Sequence, residues 1–371
     1  MQSLFAYKQC KEAIYHLALE QLEASFLPDL NSMEVQDKVL LKAQSKEASV
    51  LFKKHYKLKD ANVFEASEAV VNEKVMNAIS FNNSLLKKDK YSLKEELLNG
   101  INQISAEYIW ALYLPIALSE ISKNEKPKKG TPPYNNFFNN KAIKLLADNV
   151  ELENKNIKNS LSWEKYKDDV RNWVKNIIKQ DLKFDEYLRI ENPAFDQDKE
   201  ILLYIIKSIL FKNETINDFF ELIDLHWSEN KLIIKSLLTK TVKGLEEEQP
   251  YDLLELSYNW EEDLEFFKTI YNATLEGEDA YEEMIATKSK NWDIDRIATT
   301  DIVMLEMAIQ EMIHFPSIPV KVTINEYIEI SKKYSTPKSK QFVNGVLDVI
   351  AVDLQEQGVI KKSGRGLIDN K

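Results

Sequence analysis

Four histidines, one cysteine and a few adjacent carboxylates are the residues of this 371-residue chain whose types could run metal, nucleophilic or acid–base chemistry. Their spacing supports none of it. His16, His55, His226 and His314 stand far apart with no H-E-x-x-H pattern, and Cys10 alone cannot build a structural zinc site. Asp168-Asp169 and Glu282-Glu283 are adjacent pairs on polar helical text, where solvated charge is the expected state. Neither G-x-G-x-x-G nor G-x-x-x-x-G-K-[ST] occurs, so no glycine-rich loop cradles a nucleotide phosphate. No catalytic residue, metal or cofactor is expected, and the chain is read as a non-enzyme.

The elements that would position a binding surface are helices. Eight glycines and ten prolines are few for a chain rich in Leu, Ile, Lys and Glu, and apolar residues recur at three- and four-residue spacing over Gln36–Tyr56, Glu68–Asn83 and Leu93–Ser122. The apolar runs Tyr108–Ile121 and Ile201–Phe211 are broken by Pro115 and Lys207 and fall short of the ~20 residues a spanning helix requires. One cysteine excludes an intrachain disulfide, which fits a reducing compartment, and no signal peptide opens the chain. A cytoplasmic, all-α protein without membrane contact is expected.

The segment Ile318–Ile350 is the most strongly punctuated part. Thr323 and Glu326 have the spacing of a capping box and predict a helix start. Thr336-Pro337 predicts the next one, with Phe342, Val343, Val346, Leu347 and Ile350 as its apolar face. Gly345 interrupts that face at a cost of about 1 kcal/mol relative to alanine, which predicts close approach of a neighbouring helix backbone.

V-x-I-N-E-x-I-E-I-x-K-K-Y followed by K-x-F-V-N-G-V-L-D closely resembles the C-terminal signature of the NusB family. Trp292–Glu311 and Phe266–Thr287 resemble the helices before it, and MQSLFAYKQ is similar to the family's first helix. The resemblance implies a NusB-like helical bundle with an additional inserted helical subdomain. Residues 1–22 would be the first helix, 23–249 an inserted helical region with breaks near 123–136 and 149–160, 250–352 the NusB-like core and 353–371 a polar tail. Lys126, Lys128 and Lys129 in the first break are expected to lie in a solvated loop.

The resemblance also implies transcription antitermination, by binding boxA-type RNA together with ribosomal protein NusE within the RNA polymerase antitermination complex. Residues 246–320 hold nineteen acidic and four basic residues, whereas 321–371 hold six and nine, although the whole chain carries −11. An acidic flank for a basic protein and a basic flank for RNA is the division such a pair would use. On the NusE side the resemblance points to Phe5, Asp295 and Asp301; Glu306 stands where a basic residue is common. On the RNA side it points to Lys332, Lys333, Lys338, Lys340, Gln341 and Phe342, with lysine–phosphate contacts supplying affinity without base discrimination. Asn325, Asn344 and Gly345 match the motif as structural residues. The family's arginine-rich arm ahead of the first helix is not in this sequence, and an uncapped Met-Gln-Ser-Leu start suggests that Met1 is an internal methionine. The alternative reading is a helical protein-interaction scaffold that has lost RNA binding.

Overall fold

The computed structural model describes residues 1–31, 35–57, 66–127, 129–130, 132–159, 162–288 and 297–370. Every regular element among them is helical. In chain order they are α1 (Gln2–Ala24), α2 (Lys38–His55), α3 (Ala69–Ser122), α4 (Asn135–Phe138), α5 (Lys141–Ala147), α6 (Val150–Lys158), α7 (Lys167–Asn176) and α8 (Leu182–Leu188). There follow α9 (Phe195–Tyr204), α10 (Glu214–Ile223), α11 (Trp227–Gly244), α12 (Trp260–Lys288), α13 (Thr299–His314), α14 (Val320–Tyr334) and α15 (Ser339–Glu356). Among the described residues no helix is long and apolar enough to cross a membrane.

The chain forms two compact units, Met1–Leu98 with Trp260–Lys371, and Asn99–Asn259. In the second, α4–α11 and the end of α3 enclose an aromatic centre in which Trp110 stacks on Trp163 at 4.4 Å and Phe220 on Trp227 at 4.2 Å. The polar stretch after Asp148 forms α6, because the Asn149 side chain accepts a hydrogen bond from Leu152 N and caps it. Asn140, Asn213 and Asp181 start α5, α10 and α8 in the same way.

In the first unit, Ala18, Leu22, Phe52, Val75 and Ile79 form one cluster between α1, α2 and the start of α3. A second core surrounds α13, which is buried on nearly every side through Val303, Met304, Leu305, Ala308, Ile309 and Met312. A helix so enclosed must satisfy its polar side chains internally. Three carboxylates of α13 each accept a hydrogen bond across the bundle. Asp301 accepts from Ser339 on α15, Glu306 from Lys8 on α1, and Glu311 from Thr323 on α14. Burial holds the Glu311 carboxyl above the usual carboxylate range.

Two expectations are corrected here. Thr323 is no cap: its hydroxyl is buried against Glu311 Oε1 at 2.8 Å, and α14 begins a turn earlier, after Pro319. Gly345 meets no close neighbour either, since a Cβ built there finds nothing within 4 Å. Gly277 of α12 is the confined one, because a Cβ there would run into the ring of Tyr281 on the same helix and fall 2.6 Å from Gln310 Nε2 of α13. Opposite outcomes are therefore expected from one substitution type. Gly345→Ala should raise stability by about 1 kcal/mol through helix propensity, and Gly277→Ala should lower it by about 1–3 kcal/mol through overpacking. Amide hydrogen exchange of α12 and α15 in the two variants, slower in the first and faster in the second, checks both.

Candidate functional site

The turn between α14 and α15 is held by a chain of hydroxyls ending on a buried carboxylate. Ser339 Oγ donates to Asp301 Oδ2 at 2.7 Å, so its one hydrogen is committed. Its lone pairs are left to accept from Ser335 and Thr336, both at 2.9 Å, and Thr300 Oγ1 lies 3.3 Å behind Ser335. Four short polar side chains thereby fix residues 335–339 against the N-terminus of α13. α15 consequently starts at Ser339 rather than at Pro337.

That rigid turn displays the basic residues the motif singled out. Lys332, Lys333, Lys338, Lys340 and Gln341 are all exposed, and Phe342 is half-buried against the core. Lys332 and Lys333 occupy the last turn of α14, where cations are favoured by the helix dipole. Lys332 pairs with Glu329, and the Lys333 ammonium stands 5.0 Å from the Tyr334 ring centroid. Lys338 and Lys340 have no ion pair among the described residues.

Beside the lysines lies a pocket of about 230 Å³, walled by Ile297, Thr336, Ser339 and Phe342, with Lys338 at its edge and Asp301 within it. Asp301 is 5% exposed, and its second oxygen, Oδ1, has no hydrogen-bond partner among the described residues. Such an oxygen is costly to bury without a donor. The arrangement can therefore receive an ammonium, guanidinium or hydroxyl group internally while presenting cations to phosphates outside. The structure thus brings Asp301, Lys338 and Phe342 together in one pocket. Phe5 is half-buried on α1, beside the core residue Leu4, and is not among the residues lining that pocket. Trp292, Asp295 and Lys128 lie outside the described residues.

Sequence reasoning missed the hydroxyl chain and the buried pair of Lys8 with Glu306. The first had a signal in the run Ser335-Thr336-Pro337-Lys338-Ser339, too rich in small hydroxyls for a single cap. The second had one in Glu306 itself, a carboxylate flanked by Met304, Leu305, Met307 and Ala308, which demands a cation from elsewhere.

Residues 233–352 match the sequence model of the NusB family. Over 104 residues the chain is 45% identical to the transcription antitermination protein NusB of Salinibacter ruber, covering 28% of this chain and 65% of that protein. The NusB protein of Chloroherpeton thalassium is 42% identical over 105 residues, 28% of this chain and 50% of its own length. That of Natranaerobius thermophilus is 37% identical over 102 residues, 28% and 71% respectively. The chain thus spans less than two thirds of the first two relatives' lengths. No solved structure matches.

Proposed function

Because the chain belongs to the NusB family, we propose that it is a transcription antitermination factor that binds boxA-type RNA together with ribosomal protein NusE, within the RNA polymerase antitermination complex and by binding rather than turnover. The observation that carries this reading is the lysine turn braced by Asp301. Lys333, Lys338 and Lys340 contact successive phosphates, Lys332 joins them when it leaves Glu329, and Gln341 hydrogen-bonds a base or sugar. Phe342 offers its exposed edge to a base.

The pocket supplies the second half of the reading. A basic side chain of NusE enters it and gives Asp301 Oδ1 its missing donor, while Phe5 contributes contact area from α1. Lys338 borders both partners. NusE seated at Asp301 neutralises a carboxylate that lines the same pocket as Lys338, so each partner strengthens binding of the other by the same factor.

Fluorescence anisotropy of a labelled boxA-type RNA, titrated with the protein alone and with NusE across a salt series, tests the proposal. Binding that tightens with NusE and weakens steeply with salt is the expected result. Tight NusE binding with no RNA binding in any combination would overturn it in favour of a scaffold that contacts proteins only.

A further inference from the structure

Helix α2 carries a concentration of positive charge that none of the foregoing uses. Its 18 residues hold five lysines, Lys38, Lys42, Lys46, Lys53 and Lys54, against a single carboxylate, Glu47, in a chain whose net charge is −11. All five lysines are exposed, and none has an ion pair among the described residues. At about 100° per residue, Lys38, Lys42, Lys46 and Lys53 fall within roughly 80° of one another around the helix axis and span about 22 Å along it, with a rise of about 6 Å from Lys38 to Lys42 and again to Lys46.

Carboxylates do come up against α2, yet they serve its neutral groups. Ser49 donates to Glu23 of α1 and Gln44 to Glu68, both at 2.9 Å, while Glu47 accepts from the backbone N–H of Ser67 at 2.7 Å. Like charges four residues apart on a helix repel, and nothing among the described residues offsets that repulsion for the lysines. The opposite face of α2 is occupied: Ala48 and Phe52 are fully buried in the cluster with Ala18, Leu22 and Val75. The lysine row is therefore mounted on a packed helix that has no apolar face left to sink into a membrane interface, Val39 and Val50 being single apolar residues beside the row. Nor does the open face resemble a protein-docking patch. Such patches are anchored by aromatic and arginine side chains and are poor in lysine, whereas this face has lysines and neither anchor.

We propose that α2 is a second, sequence-independent binding surface for the phosphate backbone of a single-stranded nucleic acid. A straight row of flexible point charges follows the successive phosphates of an extended strand, and it supplies affinity through counterion release without reading bases. RNA and DNA strands both carry this chemistry.

The surface stands apart from the boxA and NusE reading. α2 lies outside residues 233–352, and none of its residues lines the Asp301 pocket. A chain that fails to recognise boxA with NusE can still hold a strand on α2, and the reverse is equally open.

Fluorescence anisotropy on the full chain tests this, with labelled oligouridine and oligothymidine as probes, neither of which contains boxA, across a salt series. The parent is the chain with glutamine at Lys332, Lys333, Lys338 and Lys340, which leaves α2 as the lysine surface under test. It should still bind both strands. Adding Lys38→Gln, Lys42→Gln, Lys46→Gln and Lys53→Gln should lower the slope of log affinity against log salt by about 0.7 per residue, roughly 3 in all, if each lysine meets one phosphate. Glutamine and lysine have similar helix propensities, so α2 itself should persist, and arginine at the same four positions, which keeps the charge, should keep the slope. A loss confined to oligouridine assigns RNA as the source, and one confined to oligothymidine assigns DNA. No binding of either strand by the parent, an unchanged slope after the four glutamine substitutions, or an equal loss with arginine would overturn the proposal. So would a variant that still binds both strands but no longer binds phosphatidylserine vesicles or poly-glutamate, because the partner would then be a membrane surface or an acidic polypeptide.

Discussion

Replacing Lys8 by methionine is expected to destabilise the helical core around α13 by about 3–5 kcal/mol, the cost of leaving a buried carboxylate without its cation. Glu306 is fully buried and Lys8 nearly so, with side chains 1% and 12% exposed and Nζ 2.9 Å from Oε1. The same ammonium reaches Glu282 on α12 at 2.9 Å, so one cation ties α1, α12 and α13. The double replacement Lys8→Met with Glu306→Leu should recover most of the loss, because removing both charges also removes the desolvation cost. With two units in the chain, a single unfolding curve mixes their transitions. Amide hydrogen exchange of α13 is therefore the readout: faster exchange in the single variant and near-normal exchange in the double. Unchanged exchange in Lys8→Met would remove the pair from the account of this core.

The pair also marks where sequence reading stops. Helical periodicity and the scarcity of glycine and proline made the all-α class legible, and the residues following Val320 were specific enough to identify the family. What those patterns describe is local, within a few turns. Lys8 and Glu306 are separated by 298 positions, and nothing in either neighbourhood names the other. The same limit explains Thr323, whose spacing to Glu326 satisfies a capping rule while its hydroxyl serves Glu311 on another helix. It explains the glycines too: both interrupt helices, and only the placement of the Tyr281 and Gln310 side chains tells that Gly277 is confined and Gly345 is open. Asp301 was legible as a carboxylate of interest, but its burial and its hydroxyl partners belong to the fold.

Changing Lys332, Lys333, Lys338 and Lys340 together to glutamine should give the largest functional effect. If each neutralises one phosphate, single-stranded RNA binding loses about 0.7 from the slope of log affinity against log salt per residue, roughly 3 in all, and affinity near 0.1 M salt falls by roughly two to three orders of magnitude. The four should not contribute equally. Lys332 must first leave Glu329 and Lys333 the face of Tyr334, whereas Lys338 and Lys340 stand exposed on the turn without an ion pair among the described residues. Single substitutions at 338 and 340 are thus expected to cost more than those at 332. Stability should hardly change, because these side chains are exposed and the turn is fixed by Ser335, Thr336, Ser339 and Asp301 rather than by them. Asp301→Asn is the complementary variant: it keeps an acceptor for Ser339 but removes the charge in the pocket, so NusE affinity should drop while RNA binding by the isolated protein persists. If the four-lysine variant keeps the salt slope of the unaltered chain, the RNA surface lies elsewhere on the molecule and the turn is no part of it.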